Sequence, residues 1–412
     1  MGAFKPIWQP VDSGEPIIEA FGGLDLDYIN ERYRIYDPAL GRLVEKPWTD
    51  IVNNRSLPAG RTYWDADGVL QTAAADEPVI EYDPVTGVKL GNRIWGSYGN
   101  VIWPSNDDSS ARWSALAGAT RTISTAVATP VGGFSNYVFT GSPQGICRFA
   151  APILSGTVAA SVYIYIENKG DATHCSIDYG DGTLVYVDIT GQPLNTWIKI
   201  PLVALAGAGA WLDITMRIGA QPVAANSWAI RVAGAQASLS SVFTPYVETT
   251  TAAVTIPAES QIIDGQNFLD LWNAAEITAY VDAKAQQGDF SRLLSFSDGG
   301  SGNELRFQRN SGGQLIWRIE GGNTATLITS GVSWEVFSKA AGAYRSGSNI
   351  RLRVDGQASA NSSINSDFTV QPSQLGVAST ASGVSPANVH IRRIILFRKA
   401  LPDSLLQRIT QL

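Results

Sequence analysis

The sequence predicts an all-β protein in which two antiparallel jelly-roll or sandwich domains follow a loop-rich N-terminal region. Through most of the chain, short runs alternate apolar and polar residues, which is the period of a sheet strand. Clusters of Gly, Asp and Ser separate these runs, and the chain contains 40 glycines, as expected for many tight turns. Only 16% of the residues are charged, against about 25% in typical soluble domains, so a largely neutral surface is expected.

The length bounds the number of domains. At 412 residues the chain is too long for one typical core, and about two to three domains are expected. We assign residues 1–106 to an N-terminal attachment arm and linker, 107–250 to a first β-sandwich and 251–412 to a second.

The N-terminal region contains enough prolines to exclude long helices. Residues 24–36 (LDLDYINERYRIY) fit either a short helix or a strand, because the spacing of the tyrosines does not choose a period. Residues 62–91 are acidic and carry two turn signals, DADG at 65–68 and DPVTG at 83–87. The sequence therefore predicts an extended arm whose order depends on its neighbours.

The first sandwich is predicted from alternation. In residues 159–167 (AASVYIYIE), Val162, Ile164 and Ile166 share one face while Tyr163 and Tyr165 share the other. Further strands are expected at 184–189, 197–202, 211–218 and 227–232, at a spacing typical of sandwiches.

The second sandwich shows the same pattern with clearer turns, such as DGG at 298–300 and DG at 355–356. Its strands are predicted at 276–283, 291–297, 304–308, 315–320, 325–328, 338–344 and 349–354. A last strand contains Ile391, Ile394 and Leu396. Pro402 suits the first turn of a closing helix that places Leu405, Leu406 and Ile409 on one face.

Several of these segments resemble bacteriophage proteins. Residues 43–91, with the unusual run DADGVLQTAAADEP, resemble a linker of phage virion proteins such as tail fibres. Residues 242–254 (VFTPYVETTTAAV) resemble the end of a carbohydrate-binding-like jelly roll in the same proteins. Residues 292–307, 349–356 and 390–409 resemble a concanavalin A-like or laminin G-like sandwich.

The resemblance implies a virion structural protein of a tailed bacteriophage: a tail fibre, head fibre, spike or decoration protein. Such a protein docks by its N-terminal region and presents β-sandwiches for binding host-surface glycan or for stabilising the particle. The implied partners are other virion proteins of the capsid or tail, a host-surface polysaccharide and further copies of the chain, with a trimer favoured. The implied location is the virion, assembled in the bacterial host cytoplasm.

Few residues suit nucleophilic or metal chemistry. The chain has only His174 and His390 as candidate proton carriers. His174 is adjacent to Cys175 in a strand, where neighbouring side chains point to opposite faces, and His390 is expected at the surface. Cys147 and Cys175 are expected to be buried free thiols, although they can also pair with each other. No catalytic residue, cofactor or metal site is assigned.

Carboxylates leave a capsule-degrading depolymerase as the alternative function, because glycoside hydrolysis needs an acid and a second carboxylate. The densest acidic cluster is Asp76, Glu77, Glu81 and Asp83, expected to be solvated in the linker. Concanavalin-like glucanases carry alternating acids on one strand, whereas the candidate strand ITAYVDAK contains only Asp282. The sequence therefore favours a protein that is not an enzyme.

Calcium is a further possibility at two turns. Asp178 with Asp181 and the intervening Gly180 can supply oxygen ligands, as can Asp298 with Asn303. Tight turns also favour Asp and Gly for backbone reasons alone, so both readings stay open.

Glycan binding would use aromatic planes and the loops of the sandwiches, at residues 299–303, 321–324 and 346–348. Trp95, Tyr98 and Trp103 can form a sugar platform, but an anchoring role for them is favoured. The tryptophans in or beside strands are expected to be mostly in the core: Trp197, Trp211, Trp228, Trp317 and Trp334. No individual ligand-binding residue is assigned.

Charge and hydropathy exclude other partners. The net charge of −7 argues against a nucleic-acid partner, which requires a basic footprint. No apolar run is long enough for a membrane span and no charged start precedes an apolar core, so neither membrane insertion nor export by a leader is expected. A bacterial lectin outside any virus is a third reading, disfavoured by the missing leader.

Overall fold

The computed structural model describes most of the chain, and antiparallel strands form most of it, which confirms the prediction of an all-β fold. The described residues are 15–83, 86–100, 102–103, 105–141, 145–151, 157–179, 184–206, 211–219, 221–222, 227–238, 245–285, 291–300, 302–309, 314–321, 324–328, 336–348, 350–357, 360–361, 367–379 and 388–411.

The elements are numbered in chain order. Those before residue 240 are α1 (Glu15–Phe21), β1 (Gly22–Asp27), β2 (Arg32–Asp37), β3 (Arg42–Glu45), α2 (Trp48–Ile51), β4 (Asn54–Ser56), β5 (Thr62–Trp64), β6 (Leu70–Thr72), β7 (Ile80–Tyr82), β8 (Lys89–Ile94), β9 (Tyr98–Asn100), β10 (Trp113–Leu116), β11 (Ala119–Ala128), β12 (Phe134–Gly141), β13 (Ile146–Ala150), β14 (Thr157–Asn168), β15 (His174–Asp178), β16 (Val185–Asp188), β17 (Trp197–Ala206), β18 (Trp211–Ile218), β19 (Gln221–Pro222) and β20 (Trp228–Ser238). Those after it are β21 (Val254–Ile256), β22 (Ser260–Asp264), α3 (Gly265–Leu271), β23 (Glu276–Ala285), β24 (Ser291–Ser297), β25 (Glu304–Arg309), β26 (Leu315–Glu320), β27 (Ala325–Ile328), β28 (Ser338–Arg345), β29 (Arg351–Val354), β30 (Ala360–Asn361), β31 (Gln374–Val377), β32 (Val389–Phe397) and α4 (Asp403–Gln411).

The chain folds into two compact units whose boundaries differ from those predicted. The larger unit combines the described parts of Met1–Ala59, Ala74–Gly96 and Ala258–Leu412, and the smaller combines Gly60–Ala73 with Ser97–Pro257. The described residues among 1–106 therefore belong to the two units and do not form a separate arm and linker. Strands β1 and β8 both pair with β32, and β4 pairs with β22. Pairing between such distant segments leaves no local signal in the sequence, which explains why the observed boundaries differ from the predicted ones.

The larger unit is a two-sheet sandwich. Among the described residues, ten strands form one sheet in the order β3-β2-β1-β32-β23-β28-β29-β30, with β8 beside β32 and β7 beside β8. Seven strands form the other sheet in the order β27-β26-β25-β24-β31-β22-β4. The apolar faces of both sheets share one core, as in sandwiches generally.

Packing of the larger core depends on close approach at Gly342 in β28. A Cβ added there would lie 2.5 Å from Cδ2 of Trp317 and 2.9 Å from Cζ of Phe307. Trp317 is fully buried, so one of the predicted core tryptophans packs directly on this backbone. Any larger residue at position 342 would displace the indole.

Two helices cover part of the outer face of the ten-stranded sheet. Ile17 and Ile18 of α1, with Leu406 and Ile409 of α4, belong to a second apolar cluster around Ile395. Leu405 packs against that cluster while partly exposed. The helix predicted after Pro402 is therefore confirmed, together with its apolar face.

The smaller unit is also a two-sheet sandwich. Among its described residues, one sheet has the order β10-β13-β18-β15-β16 with β19 beside β18, and the other has the order β11-β12-β20-β14-β17. Trp228 is buried in its core, where a Cβ added at Gly141 would lie 2.2 Å from the indole. Pairs β5-β6 and β9-β21 complete the unit.

The ambiguous segment 24–36 contains two strands and no helix. Strands β1 and β2 pair antiparallel, with Leu24 opposite Ile35 and Asp27 opposite Arg32. Asn30 closes the turn by donating to both carboxylate oxygens of Asp27, at 3.0 and 2.8 Å. The strands at 211–218, 291–297, 315–320 and 325–328 have the predicted bounds.

Candidate functional site

A charged face lies on the outer side of the seven-stranded sheet. Along β25, Leu305 and Phe307 point into the core, so the alternating residues Glu304, Arg306 and Gln308 point outward. Their neighbours on the same face are Arg292 and Ser295 of β24 and Arg318 and Glu320 of β26, placed by strand register. We call these seven residues the arginine–glutamate face.

Glu304 is the centre of this face and is only 2% exposed. One carboxylate oxygen accepts from Arg292 Nε at 2.9 Å and from Ser295 Oγ at 2.5 Å. The other accepts from Arg292 Nη2 at 3.3 Å and from Arg306. The carboxylate is therefore fixed by donors from two strands.

Arg306 links the two glutamates. Its Nη1 and Nη2 donate to Glu320 at 2.8 and 3.0 Å, its Nη1 also donates to Glu304, and its Nε donates to Gln308. Burial alone would lower the pKa of Arg306 and raise that of Glu320, but the hydrogen bonds and charges between them outweigh burial. The pKa of Arg306 is thereby raised and that of Glu320 lowered, so both groups stay charged.

Two further arginines flank this centre and reach solvent. The side chain of Arg292 is 20% exposed and that of Arg318 is 33% exposed. Arg318 donates to Glu320 at 2.5 Å, and within the part of the chain that the structure describes its Nε has no hydrogen-bond partner. Three arginines against two glutamates leave one positive charge on the face.

The arrangement suits recognition of an acidic, hydroxyl-bearing ligand. Arg306 on the middle strand is buried and donates to Glu304, Glu320 and Gln308, so the partly exposed guanidinium groups of Arg292 and Arg318 are the ones that a ligand can reach. Guanidinium forks match carboxylates with two parallel hydrogen bonds. The carboxylate of Glu320, whose side chain is 21% exposed, can accept from ligand hydroxyls. None of these residues was assigned from the sequence, although the alternation in ELRFQR marks their shared face.

The acidic cluster of residues 76–83 does not behave as expected, because Glu81 is buried. Its carboxylate contacts Arg93 Nη1 at 3.1 Å and His390 Nε2 at 2.7 Å. Glu81 and His390 are each 8% exposed, so the prediction of a surface histidine was wrong. Strand pairing brings these three residues together, since β32 pairs with β8 and β8 with β7. Asp76 and Glu77 are exposed, as expected of solvated acids.

The ten-stranded sheet contains an alternating acid pair that the sequence analysis missed. Asp25 and Asp27 of β1 point to the same face. Asp25 contacts Arg34 at 2.6 Å and Arg393 at 2.8 Å, and Asp27 lies 3.8 Å from Arg393. The motif LDLD at 24–27 was the available signal. These carboxylates are neutralised by arginines on adjacent strands.

Asp282 on β23 is buried with less compensation. It is 9% exposed, and among the described residues its Oδ1 has no hydrogen-bond partner. Burial raises the pKa of Asp282 to about 6, against the opposing charges of Arg392 and Lys339. The negative charge of Asp355 adds to the rise in the pKa of Asp282, so a second acid lies near this buried carboxyl.

Of the two candidate calcium turns, the structure describes the one at Asp298 and Asn303. Asp298 Oδ1 accepts from the backbone N–H of Gly300 at 2.9 Å, and Asp298 Oδ2 accepts from Asn303 at 3.3 Å. Gly180 and Asp181 lie outside the described residues. Across the described ranges, no group of three or more His, Cys, Asp or Glu side chains is arranged to hold a metal ion.

Both cysteines are buried free thiols, as expected. Burial raises the pKa of Cys175 to about 12 and raises that of Cys147 well above its usual value. Neither is a nucleophile in this state. Nδ1 of His174 lies 2.9 Å from the hydroxyl of Thr173, the residue just before β15.

The aromatic trio and the strand tryptophans divide between core and surface. Trp95 and Tyr98 are buried, so they cannot form a sugar platform with Trp103. Trp228 and Trp317 are in cores, while Trp197 and Trp211 are half-buried on outer faces. Trp334 lies outside the described residues, as do residues 301, 322 and 323 of the candidate loops.

The smaller sandwich has its own polar face, on the outer side of the sheet that contains β18. Arg148 makes two hydrogen bonds to Asp213, at 2.6 and 2.5 Å, and lies over the ring of Trp211 at 4.4 Å. Arg217 donates to Ser176 at 2.7 Å on the same face. This face offers an aromatic plane, but its arginine already covers it.

Comparison with known proteins gives likenesses of structure only. No protein-family model and no curated protein sequence matches the chain. The CBM40 module of the Ruminococcus gnavus IT-sialidase is similar at 17% identity and a TM-score of 0.31, over 37% of this chain and 92% of that one. The NanB sialidase of Streptococcus pneumoniae is similar at 17% identity and a TM-score of 0.32, over 36% of this chain and 26% of that one.

A third likeness is to the receptor-binding domain of a botulinum neurotoxin of mosaic serotype C/D. It has 10% identity and a TM-score of 0.29, over 37% of this chain and 40% of that one. All three likenesses concern only part of the chain, and the assignment of two β-sandwiches rests on the strand pairing of the protein itself. Among the described residues, no helix is long and apolar enough to cross a membrane.

Proposed function

We propose that the protein is a non-enzymatic glycan-binding component of a tailed-bacteriophage particle. Its arginine–glutamate face would bind an acidic sugar of the host surface. The observation that carries the proposal is the set of three arginines and two glutamates on adjacent strands of one outer face. The opposite side of the same strands supplies the apolar core, so this set lies outside it.

An acidic sugar is favoured over a neutral one by charge. The face keeps one uncompensated positive charge, and the guanidinium groups of Arg292 and Arg318 remain partly exposed. A sugar carboxylate can pair with either group without displacing the buried Glu304–Arg306 contact. The hydroxyls of the same ring can then donate to Glu320, which is partly exposed.

Binding without catalysis is supported by the pairing of the acids. Asp25, Glu81 and Glu304 are buried, and each contacts at least one arginine. A general acid in glycoside hydrolysis needs a carboxyl whose pKa is raised and a partner carboxylate across the substrate. Asp282 has the first property, and the nearby charge of Asp355 contributes to it, whereas the three buried acids named above are paired with arginines.

The virion part of the proposal is supported by the resemblance of residues 43–91 and 390–409 to phage appendage proteins. The first segment is not a linker: it contributes to both units, and the second contains β32 and α4. Docking is therefore assigned to the particle-facing surface of a folded unit, with capsid or tail proteins as partners and a homotrimer as the assembly. Cryo-electron microscopy of the purified phage tests this: its density on the particle supports the role, and its absence from the particle refutes it.

Glycan binding is tested with a matched ligand pair. A uronic-acid oligosaccharide is expected to bind, and its carboxyl-reduced counterpart is expected to bind at least about tenfold more weakly, since a charged hydrogen bond contributes roughly 1.5–3 kcal/mol. The affinity of the double variant Arg292→Gln, Arg318→Gln for the acidic ligand is expected to fall by a similar factor. Its affinity for the carboxyl-reduced ligand is expected to change little. Isothermal titration calorimetry measures both.

The control is Arg42→Gln, which removes the same charge from an exposed position on β3 of the other sheet. Unchanged affinity in the double variant, or an equal loss in the control, would show that this face is not the binding site. Release of reducing ends from the oligosaccharide by the wild-type protein would refute the non-enzymatic assignment.

A further inference from the structure

A separate cavity of about 320 Å³ opens in the larger unit, at one end of the ten-stranded sheet. Its lining comes from the end of α1, from β2 and the turn after it, and from the chain that follows β32. The volume falls within the range of small-ligand pockets, about 300–1,000 Å³. At about 30 Å³ per water, it can hold a ligand of roughly ten non-hydrogen atoms.

Arg398 is the main polar group of the cavity. Its guanidinium stacks on the ring of Tyr36, with Cζ 4.1 Å from the ring centroid. Within the described residues, Arg398 has no carboxylate within ion-pair distance, and its buried Nε has no hydrogen-bond partner. A buried donor without a partner is destabilising, so an acceptor supplied by a ligand would be favourable here.

The position of Arg398 is built into the fold. Its backbone N–H donates to the carbonyl of Phe21 at 2.9 Å, and its carbonyl accepts from Asn273 at 2.9 Å. Its side-chain stem fills the space that Gly23 leaves, since a Cβ there would lie 2.8 Å from Arg398 Cγ. The guanidinium is therefore held by packing on both the backbone and the stem.

The remaining lining defines the chemistry of the ligand. Lys399 also lines the cavity; its side chain is 61% exposed, and its Nζ lies 3.5 Å from Glu276, a carboxylate that Arg345 contacts at 2.9 Å. An organic anion is favoured over inorganic phosphate because the cavity also offers apolar surface. Phe21 is 39% exposed at the cavity and supplies apolar surface.

We propose that this cavity binds a small organic monocarboxylate, with the carboxylate on the Arg398 guanidinium and the apolar body against Phe21. The site differs from the arginine–glutamate face in its sheet and in its residues. It does not depend on glycan binding, so either proposal can fail without the other.

Calorimetry with benzoate, benzamide and inorganic phosphate tests the proposal on the full chain. Benzoate is expected to bind and its neutral isostere benzamide to bind at least about tenfold more weakly, because only the acid can accept both guanidinium hydrogen bonds. Arg398→Gln is expected to weaken benzoate binding by about tenfold or more. Arg398→Lys keeps the positive charge but loses the two parallel hydrogen bonds of the guanidinium group. Its affinity for benzoate is therefore expected to lie between those of the wild type and Arg398→Gln.

The control is Arg112→Gln, since Arg112 also stacks on an aromatic ring, 3.7 Å from Trp103, in the smaller unit. Melting temperatures of the variants separate lost binding from lost folding. If Arg398→Gln does not fold, Arg398→Lys is used to test the contribution of the guanidinium group. No benzoate binding to the wild type, equal binding of benzamide, or retained binding in both Arg398 variants would overturn the proposal. Tighter binding of phosphate than of benzoate would overturn the monocarboxylate assignment.

Discussion

Replacing Glu81 with glutamine is expected to lower the free energy of unfolding of the larger sandwich by about 3 kcal/mol at pH 7. The carboxylate joins Arg93 of β8 to His390 of β32, inside the protein. Removing one partner of such a buried pair leaves the other charge without compensation. Chemical denaturation followed by circular dichroism measures the loss.

The stability lost in Glu81→Gln should be smaller at acidic pH than at pH 7. Burial alone would raise the pKa of Glu81, but the charge of Arg93 and the hydrogen bond with His390 outweigh it and lower the pKa to about 2. A pKa that is lower in the folded state stabilises the protein above the unfolded value of about 4.5, and this stability is lost as the pH falls toward 2. The difference between wild type and variant should therefore shrink below pH 4.5.

Glu45→Gln provides the control, because Glu45 is an exposed glutamate on β3 of the same sheet. Its replacement is expected to change stability by less than about 0.5 kcal/mol. Equal stability of Glu81→Gln and wild type at pH 7 would contradict the buried three-residue contact.

Replacing Asp282 with asparagine is expected to act in the opposite direction, raising the free energy of unfolding by about 2 kcal/mol at pH 8. The wild-type carboxylate is charged there, is 9% exposed, and within the described residues has an oxygen without a hydrogen-bond partner. Asparagine keeps the shape and removes the cost of burying the charge. The same denaturation measurement applies.

Here too the sign of the pH dependence follows from the pKa. Burial raises the pKa of Asp282 from 3.8 to about 6, despite the nearby charges of Arg392 and Lys339. A pKa that is higher in the folded state destabilises the protein progressively as the pH rises from 3.8 through 6, and not below. The gain from Asp282→Asn should therefore vanish near pH 4, while exposed Asp50→Asn should show no such trend. A variant that is less stable than wild type at pH 8 would contradict this account.

Strands were predictable because alternation is a local property. The fully buried Phe307 and Trp317 alternate with outward Arg306 and Arg318, so the period is visible in the sequence. The closing helix was predictable for the same reason, since Leu406 and Ile409 lie on one face. The sandwich architecture follows once such strands are separated by Gly-rich turns.

The role of the N-terminal segments was not predictable. Strand β1 is held by β32, from the far end of the chain, and β4 is held by β22. The local composition of residues 15–96 does not indicate which strands pair with β1 and β4. For the same reason, Glu81 looked like a solvated acid and His390 like a surface residue, although each is buried against the other.

The candidate site was predictable only in part. The motif ELRFQR shows that Glu304 and Arg306 share a face, but not that Arg292 and Arg318 lie beside them. That requires the register of β24 and β26 against β25. The cavity at Arg398 combines residues from both ends of the chain, so the sequence contains no single motif for it.

A crystal structure of the protein with its tightest-binding acidic oligosaccharide tests the central claim most directly. A sugar carboxylate is expected within about 3.2 Å of a guanidinium nitrogen of Arg292 or Arg318, with a ring hydroxyl against Glu320. A glycan bound on the smaller sandwich, or one cleaved between opposed carboxylates, would contradict it.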